Sequence, residues 1–182
     1  MKTTTLAGAA LSALTTAAFA QPCDPSWDTT MGAVGLTSDG YAGPMAVHDD
    51  GGGEALFIGG SFSSAGGLVT RGLARYGADG SWDDVGGGCY STNTNYFVAA
   101  LASHNFGQGA ELVSGGGFGT AGGVAGTANL AAWNGRSWRG LGAPNGAVWS
   151  LLSAGTRLYA AGGFTQVGEA SANGIAVYEN GA

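Results

Sequence analysis

The sequence predicts an all-β protein assembled from about three repeats of a four-stranded sheet. Three observations predict it: a glycine-rich motif that returns at intervals, apolar segments too short for helices, and Gly, Asn and Asp turns between them. The motif reads LFIGGSFSSAGG from Leu56, LVSGGGFGTAGG from Leu112 and LYAAGGFTQVGE from Leu158. Adjacent glycines weaken a buried strand, so their return in every copy needs a physical reason.

Aligned on the diglycine, Gly60, Gly116 and Gly162 share a column, as do Phe62, Phe118 and Phe164, and Gly66, Gly122 and Gly168. Eleven or twelve residues after each Phe comes an apolar segment, LARY from Leu73, LAAW from Leu130 and IAVY from Ile175, followed by a polar turn. Ser81-Trp82 and Ser137-Trp138 follow the first two turns, and an earlier Ser26-Trp27 sets the tryptophans 55 and 56 residues apart. A further apolar run precedes each diglycine: PMAVH, FVAALASH and AVWSLLS. The period is 46 to 56 residues, with units at about 27–76, 82–133 and 138–178. Four short strands in a repeat of roughly 40 to 50 residues are the signature of a β-propeller blade. In that architecture inner strands of neighbouring blades converge, and a strand without side chains admits another backbone and tolerates a bulge. Phe62, Phe118, Phe164, Trp27, Trp82 and Trp138 are expected to fill the space between blades.

The diglycine, the aromatic about sixteen residues on (Tyr76, Trp133) and the Trp beyond it (Trp82, Trp138) resemble the kelch-type propeller repeat. The flavour GGSFSSAGG…LARYGADGSWDDVGGG is similar to repeats of secreted bacterial propellers and Rax2-like fungal surface proteins, over nearly all of residues 24–182. The resemblance implies a fold more than a task, because propellers serve binding, scaffolding and catalysis alike. Propellers have about four to eight blades, so three repeats leave an incomplete or open ring. The Trp27 strand reads as the last strand of a blade, and the family's manner of closure would place it in the final one. The expectation is a fragment of a longer propeller with missing blades, forming a curved open stack. The alternatives are a homodimer making a six-bladed ring and a strained three-blade assembly.

The first twenty residues have one Lys, an apolar middle from Leu6 and the small-x-small ending Ala18-Phe19-Ala20, which reads as an export signal cleaved before Gln21. The expected location is secreted, at the cell surface or periplasmic. After cleavage five Arg and twelve acids leave a net charge of −7, which argues against a nucleic-acid partner. No other segment approaches the ~20 apolar residues of a membrane span. Cys23 and Cys89 are compatible with one disulfide and equally with two separate thiols.

No residue pattern predicts a cofactor, a metal or a catalytic centre. His48 and His104 each lie eight residues before a leucine of the motif. Equivalent positions a whole blade apart, with no Cys or third His at ligand spacing, read as polar residues ending a strand rather than as ligands. The run HDDGGGEA lacks alternating calcium-loop spacing and reads as a solvated hairpin. The glycine-rich segments have no GK[ST] and no following helix, which excludes a phosphate loop. Copper-oxidase chemistry of the galactose oxidase type needs Tyr, His and Cys at one place, and no such constellation is legible. Two readings follow. The first is a non-catalytic binding or scaffold module for protein or glycan, with Tyr41, Tyr90, Tyr96 or Trp149 available to stack on sugars. The second is a propeller enzyme of the oxidase or lyase kind with its site at one mouth of the ring.

Overall fold

The computed structural model describes residues 35–37, 40–92 and 95–179. The expected export signal, Cys23 and Trp27 lie outside them. Every regular element among the described residues is a β-strand, all pairing is antiparallel and none of the sheets closes on itself.

The first sheet begins with β1 (Ala42–Asp49) and β2 (Glu54–Gly60), joined by the acidic hairpin. A small hairpin, β3 (Ser64–Ala65) and β4 (Leu68–Val69), precedes β5 (Leu73–Gly77) and β6 (Trp82–Asp84), and the sheet order is β1-β2-β5-β6. The chain then forms β7 (Cys89–Tyr90), β8 (Phe97–Asn105), β9 (Ala110–Gly117), β10 (Thr120–Ala121), β11 (Leu130–Trp133) and β12 (Trp138–Gly140). The second sheet is β8-β9-β11-β12, and β7 pairs with β10. The third sheet, β13 (Val148–Ala154), β14 (Arg157–Gly162) and β17 (Ile175–Glu179), has three strands, with β15 (Gln166–Val167) and β16 (Ala170–Ser171) as its small hairpin. Each Trp-led strand is therefore the last of its sheet, and the sheets cut the repeat at about 42–84, 97–140 and 148–179.

Glycine in the repeat has two separate causes. The first strand of each sheet carries a register shift: between Ala42 and Met45, between Val98 and Ala100, and between Val148 and Ser150. Beside these bulges a Cβ on Gly60, Gly116 or Gly162 would collide with the carbonyl oxygen of Tyr41, Phe97 or Ala147. The crowding backbone thus belongs to the same sheet, not to a neighbouring one as the sequence suggests, because the bulge pushes the first strand onto the second. Contact between sheets falls one residue earlier. A Cβ on Gly59 would lie 2.6 Å from Val98 Cγ1 of the second sheet, and one on Gly115 would lie 2.8 Å from Val148 Cγ1 of the third. Gly66, Gly122 and Gly168 form the third column for a backbone reason, with φ of +57°, +58° and +57° at equivalent turns.

The sheets stack through their first strands, with β8 in contact with both β1 and β13. Between the first and second sheets lie Phe57, Leu73, Val98, Leu112, Phe118, Trp133 and Trp138. Val113, Leu130, Val148, Leu158 and Phe164 fill the space between the second and third. Phe62, with Ile58, Ala65 and Ala74, forms a separate cluster with Leu36 and Trp82 against it. Phe62, Phe118 and Phe164 are thus one per cluster and at most 3 % exposed. Burying each contributes about 1.5 to 3 kcal/mol relative to exposure.

Replacing Gly116 by Ala is expected to destabilise the fold by about 1 to 3 kcal/mol, since the new methyl meets backbone that cannot rotate aside. Gly163→Ala, whose Cβ would meet only Trp149 Nε1 at 3.5 Å, should stay within about 0.5 kcal/mol of wild type. Urea denaturation of the two variants measures the difference.

Candidate functional site

The polar and aromatic features that could carry chemistry are the histidines, the acidic turns and the exposed rings. His48 lies on β1 and His104 at the equivalent place on β8, 4 % and 1 % exposed. His48 Nδ1 is 3.0 Å from Ser103 Oγ on the next sheet, and His104 Nδ1 is 2.8 Å from Ser153 Oγ on the sheet after that. The rings also pack edge-on against Phe57 and Phe106. Each histidine is therefore a tie between sheets rather than only a polar residue ending a strand. The sequence places Ser150 or Ser153 near the histidine position of the third repeat, but does not pair either serine partner with a histidine. Their signal was the Ser-His pair at Ser103-His104, with Ser153 at the next copy's serine position.

Burial holds both histidines below the ordinary imidazole range, Asp50 and Asp49 partly opposing this at His48. Nε2 of each ring is enclosed with no polar partner among the described residues, so a charged ring would carry an N–H facing no acceptor. The two rings are one sheet apart, and no group of three or more His, Cys, Asp or Glu among the described residues could hold a metal ion.

The acidic hairpin is built around Asp49, whose Oδ1 accepts hydrogen bonds from the backbone N–H groups of Gly51 and Gly53, both at 2.9 Å. Asp50 lies 3.5 Å from Nε of Arg75 on β5 of its own sheet and accepts from Nε1 of Trp133 on the second sheet at 3.4 Å. Arg75 also donates to Asp83 at 2.9 Å. Asp50, Arg75, Asp83, Asp84, Trp133 and Arg136 line an open cleft between the outer turns of the two sheets. Within it Arg75 is ion-paired with both Asp50 and Asp83, and Asp84 accepts from the Gly87 N–H at 2.7 Å. Cys89 is fully buried, and desolvation pushes its thiol far up, away from the thiolate form. Its prospective disulfide partner, Cys23, lies outside the described residues.

Two of the exposed rings, Tyr41 and Trp149, lie at the opposite, diglycine end of the strands, while the exposed Tyr178 lies at the other end of its strand. Tyr41 and Phe97 occupy equivalent positions, their carbonyls facing Gly60 and Gly116, and Trp149 lies two residues past the third equivalent, Ala147. Trp149 is 56 % exposed and stacks on Phe97 with centroids 5.0 Å apart and planes 12° from parallel, while Tyr41 is 51 % exposed. Tyr90 is instead half-buried under the Arg71 guanidinium, 5.1 Å from its ring centroid, and Tyr96 is half-buried against the cluster between the first two sheets.

Folding stability should decline on acidification. Both histidines have lowered folded-state values, so below about pH 6.5 the unfolded chain binds protons that the folded chain does not. Above that pH their contribution is fully present, and it falls as the pH moves down toward 5. Urea midpoints measured across this range should show the decline, with a shallower slope in His104→Asn. Ser153→Ala should cost about 1 to 3 kcal/mol at pH 7 by leaving buried Nδ1 without its partner.

Comparison of the chain with protein-family models, with curated proteins and with solved structures yields no match.

Proposed function

We propose that this chain is an exported, non-catalytic binding module of the propeller type, whose kelch-like repeats present a surface to protein or glycan at or outside the cell. The observation that carries the reading is the aromatic row along the diglycine end of successive sheets, with Trp149 held flat on Phe97. A ring fixed by stacking offers a sugar or an apolar side chain a contact face at little cost in side-chain entropy. The acidic cleft at the other end supplies paired charges suited to a polar rim rather than to a reaction. His48 and His104, on which catalysis or metal binding would first draw, are engaged in joining sheets. With Arg as the sole basic residue after export and a net charge of −7, an acidic polymer would be repelled, so neutral glycans are the favoured class.

Affinity electrophoresis through gels containing neutral, acidic or amino-sugar polysaccharides tests the proposal. Retardation by a neutral polysaccharide is expected, with Trp149→Ala weakening it about tenfold, a typical loss for a binding-site aromatic. Unchanged mobility in every gel, or retardation indifferent to Trp149→Ala, removes the aromatic row as the binding surface.

A further inference from the structure

Three Asn-Gly pairs lie among the described residues, Asn134-Gly135, Asn145-Gly146 and Asn173-Gly174, while Asn180-Gly181 falls outside them. In each, a backbone nitrogen with no side chain beside it follows a carboxamide, the arrangement from which a five-membered imide can close. Closure needs a nitrogen not held by an acceptor, a carboxamide whose amino group is free to leave, and donors to the oxygen on which negative charge develops. The structure distributes these unequally.

At Asn173 the nitrogen is occupied, because the Gly174 N–H donates to the Phe164 carbonyl at 2.9 Å. At Asn145 the carboxamide is occupied: Nδ2 donates to Thr165 Oγ1 at 3.0 Å, and Oδ1 accepts from the N–H groups of Thr165 and Gln166 at 2.9 and 3.1 Å. A Cβ on Gly146 would lie 2.5 Å from Gly163 O, so the chain there has little room to turn. Asn134 differs on each count. It is exposed in the turn between β11 and β12, and neither its Nδ2 nor the Gly135 N–H has a hydrogen-bond partner among the described residues. Its Oδ1 accepts from the N–H groups of Arg136 and Ser137 at 3.0 and 2.8 Å, with Ser137 Oγ at 3.4 Å. Those donors polarise the carbonyl under attack and stabilise the charge that attack creates on Oδ1.

We propose that Asn134-Gly135 is a site of self-modification by deamidation. The Gly135 nitrogen attacks Asn134 Cγ and a C–N bond forms. The Cγ–Nδ2 bond breaks, and the amino group leaves with the Gly135 proton as ammonia. Water then opens the imide, its hydroxyl going to one carbonyl carbon and its proton to the nitrogen. Opening at Cγ gives aspartate, and opening at the backbone carbonyl gives isoaspartate, whose main chain is one carbon longer.

The surroundings favour aspartate. The corresponding turn of the first repeat already carries one: Asp79, followed by Gly80, accepts at Oδ1 from the Ser81 N–H at 3.0 Å and from Ser81 Oγ at 2.7 Å. A longer main chain at residue 134 would instead press Gly135 into the acidic hairpin, where even a Cβ would collide with the carbonyl oxygen of Asp50. Either product adds a negative charge to the cleft that Asn134 lines with Asp50, Arg75 and Asp83.

Peptide mapping by mass spectrometry, on the full chain incubated for weeks at mildly alkaline pH, tests the proposal. Residue 134 should convert roughly tenfold faster than 145 or 173 in the folded chain, with aspartate exceeding isoaspartate. In guanidinium chloride, where these contacts are gone, the three sites should convert at similar rates and the isoaspartate share should rise. Asn134→Asp should keep the wild-type urea midpoint, and a lowered midpoint overturns aspartate as the favoured product. An unconverted residue 134 in the folded chain, a lead taken by 145 or 173, or the same order of rates in guanidinium chloride overturns the site itself.

Discussion

The architecture depends on how closely two strands of the same sheet approach at one end. There the bulge in the first strand presses a carbonyl oxygen into the space that a Cβ would occupy on the second strand, at Gly60, Gly116 and Gly162. The bulge also re-aims the residue that follows the carbonyl, and in the second and third sheets that residue is Val98 or Val148. Each valine then lies over the preceding glycine of the neighbouring sheet, Gly59 or Gly115. One local irregularity therefore fixes both the internal shape of a sheet and the place where the next one docks.

At the other end of the first strands the contact is polar. His48 and His104 reach across to Ser103 and Ser153, several residues from the valines along the same strands. A buried hydrogen bond of this kind adds about 1 kcal/mol net, less than the burial of one phenylalanine in the clusters beside it. Its larger effect is on register, because a slip of one residue would turn each imidazole away from its serine and strand both groups without partners. Apolar packing supplies most of the adhesion between sheets, and the imidazole fixes their alignment.

This division of labour bears on what the molecule does. The histidines lie inside the stack, engaged with serines of the neighbouring sheets, while Tyr41 and Trp149 are exposed at the diglycine end of the strands and the Asp50–Arg75–Asp83 ion pairs lie at the other.

Much of the fold was legible because a local repeat reports local causes. The spacing of Gly60, Gly116 and Gly162, the Trp-led strands at Trp82 and Trp138, and the hairpin at Asp49 all reflect interactions within one sheet or one turn, which neighbouring residues largely dictate. The sequence therefore determined the all-β class, the strand-turn pattern and the need for backbone without side chains at fixed places. Only the tertiary structure decided which backbone crowds Gly60, that Gly59 rather than Gly60 receives the next sheet, and that His48 and His104 are ties to serines 55 and 49 residues away. Those outcomes depend on which faces of successive sheets meet and at what offset, and alternation along a strand specifies the two faces without saying what stands opposite either of them.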